Sequence, residues 1–251
     1  MNKYVRSSYL VLCYAFLYVP LFVLITYSFF QAPPQTGFTM QWYQTLWQDP
    51  NLLVVAGNSL LVAVVASTLA TVFGTLAAVV LRRFRFLGRQ VLSNALFSLI
   101  IFPDLVLGIS LLLWLHLLHF PLGFFTLAIG HITLCLPFVT IMINSRLLDL
   151  DSSLFEAGRD LGASEWTILR RIILPLLLPA IIGAWLMCFT LSMDDVIISF
   201  FLTGPSFNVL PLYIYSLVRL GVTPEINALC SIIFFVTLIL ILIAQWRVRI
   251  E

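Results

Sequence analysis

The sequence predicts an all-helical integral membrane protein, with six transmembrane helices in a single domain that covers residues 1–251. Two observations predict this fold class. First, 61% of the residues are hydrophobic and only 10% are charged, whereas about half of the residues of a soluble domain are apolar. Second, six apolar runs approach the ~20 residues that a helix needs to cross a bilayer. No charged or low-complexity run separates two folded units, and no nucleic-acid partner is expected.

Charged residues or turn residues bound each apolar run. The six predicted spans are 9–30, 58–81, 90–115, 122–145, 177–201 and 226–246. Lys3 and Arg6 precede the first span, which is too long and too poor in small residues near its end for a cleaved signal peptide. We therefore expect the first span to remain in the mature fold.

Two sets of small side chains are expected to be structural. The second span carries small residues at four-residue intervals, which favour close packing against another helix; they are Ala66, Ala70, Gly74 and Ala78. The four cysteines all lie in apolar segments and are expected to behave as small hydrophobic side chains; they are Cys13, Cys135, Cys188 and Cys230.

The basic residues predict the orientation. Twelve of the thirteen fall on one side of the predicted topology, and only Arg219 falls on the other. Basic residues near the ends of spans stay in the cytoplasm. Both termini and the long loop between spans four and five, about 146–176, are therefore expected on the cytoplasmic side of a bacterial inner membrane.

The first half of this loop has the signals of a short helix. Ser153 followed by Glu156 matches a capping box, which predicts a helix that runs through Leu161. Gly162 is the residue expected to adopt the left-handed conformation that ends the helix.

The second half of the loop predicts another helix, over residues 165–174, with Ser164 as its N-cap and Pro175 separating it from span five. Trp166, Leu169 and Ile173 are expected near one face. Two short helices at an angle would form a compact protrusion from the membrane. The alternative is an amphipathic hairpin that lies on the inner leaflet.

The run from Glu156 to Pro175 resembles the EAA loop of bacterial ABC-importer permeases: Glu, Ala, Ala, three residues, Gly, nine residues, Ile, any residue, Leu, Pro. The one departure is Gly158 in place of alanine, which should loosen the first helix by about 1 kcal/mol. In that family the loop inserts into a groove on a separate ATPase. The resemblance thus implies a type I, MetI-like permease fold, with ATPase-coupling contacts at Glu156, Ala157, Gly158 and Gly162.

A wider resemblance, to the spermidine/putrescine permeases and their PotC-type subunit, covers most of the chain. It is carried by four segments: Asn58 Ser59 Leu60; Phe102 Pro103 Asp104; Thr190 Leu191 Ser192 Met193 Asp194 Asp195; and Thr223 Pro224 Glu225 Ile226 Asn227 Ala228 Leu229. The resemblance implies a heterodimer with a second permease, two ATPase subunits and a periplasmic polyamine-binding protein.

The energy source is expected on another polypeptide. A phosphate-binding loop needs a lysine after a glycine-rich turn, and Lys3, the only lysine, follows just two residues. The chain is therefore expected to be a transport subunit without enzymatic activity or cofactor of its own, with ATP and Mg bound by the partner ATPase.

Three carboxylates fall within predicted spans: Asp104, Asp194 and Asp195. A charge at a helix centre costs about 2.5 to 3.5 kcal/mol on insertion scales, so these residues need a cation, a partner or water. Counting along straight helices at ~1.5 Å per residue places them in the outer half of the membrane. A cavity lined by carboxylates would stabilise a polyamine, and these residues are candidates for its path.

A structural role is the alternative for these carboxylates, because Pro103 frees backbone groups and the Asp194 pair lies near the interface. Adjacent helical residues point ~100° apart, so Asp194 and Asp195 are not expected to face one cavity together. One of them would then contact the partner permease.

The predicted function is a permease subunit of an ATP-driven importer that moves polyamines from periplasm to cytoplasm. One alternative is an ABC permease for another small solute, since the loop carries no information about cargo. Another is a self-contained secondary carrier or channel, which would need repeated halves around a midplane site; no such repeat is visible. An intramembrane hydrolase using His131 and Ser110 is disfavoured because no nucleophile motif surrounds the serine.

Overall fold

The computed structural model describes residues 3–31, 37–151, 153–221 and 223–248. Their helices are α1 Lys3–Tyr27, α2 Gln41–Gln48, α3 Pro50–Arg83, α4 Arg89–Ile101, α5 Asp104–Leu117, α6 Phe124–Asp149, α7 Ser153–Asp160, α8 Glu165–Ile168, a π-helical segment Leu169–Ile173, α9 Leu174–Asp194, α10 Ile197–Leu202, α11 Leu210–Leu220 and α12 Pro224–Val248. The all-helical prediction is thus confirmed. The chain forms two compact units, Met1–Val54 with Ile214–Glu251, and Val55–Tyr213.

Four helical stretches among the described residues are long and apolar enough to cross a membrane: Ser7–Tyr27, Pro50–Arg83, Phe124–Asp149 and Glu165–Asp194. They coincide with predicted spans one, two, four and five. A bent pair of helices makes a fifth if it counts as one span. The last predicted span is 226–246. Among the described side chains, its apolar stretch is Pro224–Ile239, which is shorter than a membrane span requires. The count of six spans therefore stays a prediction.

The third predicted span is not one straight helix. It breaks between α4 and α5, which are bent by 118°. Phe102 is extended, with ψ 133°, because the residue before a proline is pushed out of the helical region. The prediction of a continuous helix over 90–115 was wrong, and a depth counted along one straight helix does not apply to Asp104.

The fifth predicted span also differs from expectation at both ends. The second loop helix does not stop at Pro175; it continues through the π-helical segment into α9. The Leu174 N–H donates to the Leu169 carbonyl, five residues back, and this wider turn accommodates the proline ring. At the other end, α9 stops at Asp194, and Asp195 is extended before α10 begins.

The larger unit, Val55–Tyr213, is held together by packing of α3, α6 and α9. Ala66, Ala70 and Ala78 are fully buried, and a Cβ on Gly74 would lie 2.6 Å from the Val139 Cβ. The predicted stripe of small residues therefore does bring α3 against α6. Cys135 and Cys188 are buried in the same core, as expected of small hydrophobic side chains.

The smaller unit contains α1, α2 and α12, and both α1 and α2 contact α12. The aromatic residues of α2 fold back on the end of α1: the Trp42 Nε1–H donates to the Phe30 carbonyl at 2.9 Å, and the Tyr43 hydroxyl shares a 2.6 Å hydrogen bond with Ser28 Oγ. Trp47 is exposed, which suits an interfacial position.

Candidate functional site

The predicted coupling loop starts with α7. The helix begins at Ser153 itself, so Ser153 is not the N-cap of the predicted capping box. Its backbone N–H donates to Asp151 Oδ1 at 2.9 Å. This hydrogen bond holds the pKa of the Asp151 carboxyl below its usual value. Asp151 thus takes over the acceptor role that the sequence assigned to Ser153.

The end of α7 is as predicted. Gly162 adopts a left-handed conformation with φ +75°, and its N–H donates to the Arg159 carbonyl at 2.8 Å. The Ala163 N–H reaches back to the Gly158 carbonyl at 3.0 Å. These two bonds form a Schellman motif, which satisfies carbonyls at the helix end and turns the chain sharply into α8.

The second helix starts where the sequence predicted, because Ser164 Oγ accepts from the Thr167 N–H at 3.3 Å. Ile168 and Ile173 are buried, and they belong to the same apolar cluster as Val139 of α6 and Leu177 of α9. A Cβ placed on Gly158 would lie 3.0 Å from Ile168 Cγ1. The loop is therefore packed against the bundle and has little room to move by itself.

The opposite side of the loop is exposed and partly apolar. Leu161 is 88% exposed and Trp166 is 65% exposed, so the expectation that Trp166 shares a face with the buried Ile173 was wrong. Glu156 and Ala157 are exposed as well. The loop thus has one side packed on the transmembrane core and one side available to another surface.

An ion-pair network ties this loop to the end of α3. Glu165 lies between two arginines: its Oε2 contacts Arg83, the last residue of α3, and its Oε1 lies 2.9 Å from Nη2 of Arg159. Arg159 belongs to α7, so a single carboxylate connects three helices. Exposed pairs contribute little to stability, so this network indicates where the loop contacts α3 and does not by itself hold it there.

The predicted path residues lie at helix breaks, away from the loop. Asp104 is exposed in the first turn of α5, directly after the break at Pro103. Asp195 lies in the break between α9 and α10, and α10 packs against α5. A Cβ on Gly108 of α5 would lie only 2.8 Å from the Phe201 ring, so this contact is close.

Asp195 is held by a buried polar cluster. Its two carboxylate oxygens accept the backbone N–H groups of Ile198 and Ser199 at 3.2 and 2.8 Å, which caps α10. His131 Nε2 of α6 lies 3.4 Å from Asp195 Oδ2 and 3.3 Å from Ser199 Oγ. His131 Nδ1 shares a 2.5 Å hydrogen bond with Ser192 Oγ. A carboxylate facing Nε2 favours a proton on that nitrogen.

The sequence did not point to this cluster. His131 lies more than sixty residues from Ser192, and no spacing rule joins them. The one available signal was a polar histidine inside an apolar span, which requires hydrogen-bond partners at that depth. Asp194, by contrast, is exposed at the end of α9. The two adjacent aspartates therefore have different surroundings, because the helix ends at Asp194 and Asp195 is extended.

Asn58 and Ser59 of α3 form hydrogen bonds with residues at the start of α11 and just before it. Ser59 Oγ accepts the Leu210 N–H at 2.6 Å, and Asn58 Nδ2 donates to the Asn208 carbonyl at 3.0 Å. The pair thus anchors the segment that leads into α11.

The family described as "Binding-protein-dependent transport system inner membrane component" matches residues 70–250. The "Spermidine/putrescine transport system permease protein PotC" of Escherichia coli (strain K12) is 46% identical over 99% of this chain and 96% of that protein. PotC of Haemophilus influenzae is 45% identical over 98% of this chain and 97% of that protein. The "Putrescine transport system permease protein PotI" of E. coli is 41% identical, covering 91% of this chain and 85% of PotI.

Solved structures show the same fold at low sequence identity. A chain of a bacterial ABC transporter for import of the acidic polysaccharide alginate matches with a TM-score of 0.75 and 18% identity, covering 96% of this chain and 94% of that one. A chain of the inward-facing MetNI methionine ABC transporter matches with a TM-score of 0.66 and 18% identity, covering 80% and 97%. This chain therefore belongs to the binding-protein-dependent transport system inner membrane components, as a multi-pass permease of an ABC transporter.

Proposed function

We propose that this chain is one of two permease subunits of an ATP-driven importer that moves polyamines from the periplasm to the cytoplasm. The observation that carries the proposal is the 46% identity to PotC over 99% of the chain, with 41% identity to PotI. Both relatives are named for polyamine transport, so spermidine and putrescine define the expected class of cargo.

The loop around α7 and α8 is the proposed receiver of ATPase motion. Its exposed side presents Glu156, Ala157, Leu161 and Trp166, which suits insertion into a groove on another protein. Its packed side shares a cluster with α3, α6 and α9. A push on the exposed side would therefore move the spans, because packed interiors deform little. This geometry favours a docking role over a hairpin lying on lipid.

ATP and Mg are proposed to bind to two separate ATPase subunits, because the sequence has no lysine after a glycine-rich turn and its one lysine, Lys3, lies in α1. A second, related permease would complete the path, and a periplasmic polyamine-binding protein would deliver cargo. Twelve of the thirteen basic residues fall on one side of the predicted topology, which supports a cytoplasmic position for both termini and for the coupling loop.

The proposed cargo path includes Asp104, Asp194 and Asp195. Asp104 and Asp194 are exposed, so their carboxylates are available to a cation or to the partner permease. Asp195 is 9% exposed and bound by His131 and two backbone N–H groups. Its contribution to the path would be indirect, by holding the break after Asp194 in place.

The proposal is tested by uptake of labelled spermidine into proteoliposomes that contain the assembled complex, the binding protein and ATP. We expect uptake that requires ATP and that unlabelled putrescine suppresses, whereas methionine leaves it unchanged. Glu156→Gln should abolish uptake, and Asp160→Asn, an exposed carboxylate on the same short helix, should not. Suppression by a different solute class would favour a permease for that solute. Uptake without ATP would favour a gradient-driven carrier.

A further inference from the structure

A cavity of about 270 Å³ lies between the end of α3, the first turns of α4 and the second half of α6, within the larger unit. Its polar wall is formed by two arginines and four neutral polar residues, Arg82, Arg89, Gln90, Ser93, Thr140 and Asn144. Arg82 is the penultimate residue of α3, and Arg89 is the first residue of α4. The coupling loop and the carboxylates of the proposed path contribute nothing to this wall.

The two arginines that line the cavity differ from Arg83, Arg146 and Arg159, which have carboxylate partners. Arg83 and Arg159 share Glu165, and Arg146 lies 4.0 Å from Asp149. Within the part of the chain that the structure describes, Arg82 and Arg89 form no ion pair. Two guanidinium groups facing one cavity repel each other unless an anion lies between them. The cavity is therefore suited to an anion and unsuited to a polyamine.

The rest of the wall is apolar and continues onto the exposed surface. Phe97 of α4 lies eight residues beyond Arg89, or about 12 Å at ~1.5 Å per residue. Phe97 is 48% exposed, and Ile141 and Leu148 of α6 are also exposed. A ligand in this cavity would contact the positive charges of Arg82 and Arg89 at one side and the apolar side chains of Phe97 and Ile141 at the other. A phospholipid has this sequence of groups, whereas a free phosphate would leave the apolar wall uncovered.

We propose that this cavity binds the headgroup of an anionic phospholipid, with the lipid phosphate between Arg82 and Arg89 and an acyl chain along Phe97 and Ile141. Basic pockets between transmembrane helices on the cytoplasmic side are known lipid-headgroup sites. Arg fits this role because its planar guanidinium donates two parallel hydrogen bonds to a phosphate. The site is independent of the cargo and would hold for any solute carried by this permease.

The test is native mass spectrometry of the full-length chain in its assembled complex, released from nanodiscs with equal phosphatidylglycerol and phosphatidylcholine. Each basic residue near the surface favours an anionic lipid roughly fivefold, so two should enrich bound phosphatidylglycerol by about twenty-five-fold. The R82Q/R89Q double variant should lose this enrichment. Arg85→Gln is the matched control, because Arg85 lies between the two arginines and does not line the cavity.

The R82K/R89K double variant separates charge from folding, and it should retain most of the enrichment while the glutamine variant loses it. Three results would overturn the proposal. These are equal enrichment in wild type and R82Q/R89Q, no preference of the wild type for phosphatidylglycerol, and retention of added inorganic phosphate without lipid. A site occupied instead by the second permease or an ATPase would give the second result.

Discussion

Gly158 of α7 lies against Ile168 of α8, so closely that a Cβ on the glycine would sit 3.0 Å from Ile168 Cγ1. Ile168 is fully buried in the cluster that joins α3, α6 and α9. Through this contact, the first helix of the coupling loop packs directly against a side chain of the transmembrane core. A side chain larger than hydrogen at position 158 would crowd Ile168, so glycine fits this contact.

Gly158→Ala should have little effect on stability, because the helix gains about 1 kcal/mol while the new methyl group crowds Ile168. Gly158→Leu should cost about 1–3 kcal/mol by overpacking and should weaken uptake. Thermal unfolding of the detergent-solubilised protein measures both. Ala157→Leu, on the exposed side, is the stability control. Equal stability of Gly158→Leu and this control would contradict the packing.

Gly162→Ala should destabilise the loop by about 1–2 kcal/mol, because φ +75° is a strained conformation for a residue with a Cβ. We expect reduced ATP-driven uptake with normal membrane insertion. Gly57→Ala is the matched control, since no atom lies within 4 Å of its added Cβ and its helix needs no left-handed residue. Full uptake and unchanged unfolding in Gly162→Ala would show that the turn is not required.

The two adjacent aspartates should respond differently to removal of charge. Asp194→Asn should lower polyamine uptake at unchanged thermal stability, because the carboxylate is exposed. Asp195→Asn should lower both, because it weakens the cap of α10 and the contact with His131. Uptake and unfolding are measured on the same preparations. A stable Asp195→Asn protein with normal uptake would argue against the role of the buried cluster.

His131→Leu should lower stability by about 1–3 kcal/mol, since Ser192 loses a buried partner and Asp195 loses its side-chain donor. Melting temperature in detergent is the measurement. His116→Leu is the control, because His116 is an exposed histidine on α5. Equal melting temperatures for the two variants would mean that the His131 hydrogen bonds add nothing to the fold.

Local signals predicted local structure well in this chain. Gly162 and Ser164 set a helix end and a helix start through backbone groups a few residues away, and both have the predicted roles. The breaks at Pro103 and Asp195 were missed because the apolar run continues across each of them. Hydrophobicity reports the environment of a segment and does not show whether its helix is continuous.

The remaining differences depend on tertiary contacts. Pro175 signals a helix end in water, but here a π-helical turn carries the chain through it within a packed bundle. Asp195, which follows α9, contacts His131 of α6, 64 positions away in the sequence. No periodic pattern in the sequence predicts this contact, because it depends on how α6, α9 and α10 are arranged in space.

We propose that the exposed side of the coupling loop receives work from a separate ATPase. Isolation of the tagged full-length chain from membranes, followed by identification and quantification of the ATPase that accompanies it, tests this most directly. We predict that the wild type and Asp160→Arg bring down the ATPase in comparable amounts, and that Glu156→Arg loses at least tenfold. A Glu156→Arg chain that retains the ATPase and transports normally, or a transport-active wild-type complex without any ATPase, would show that the loop does not receive work from an ATPase.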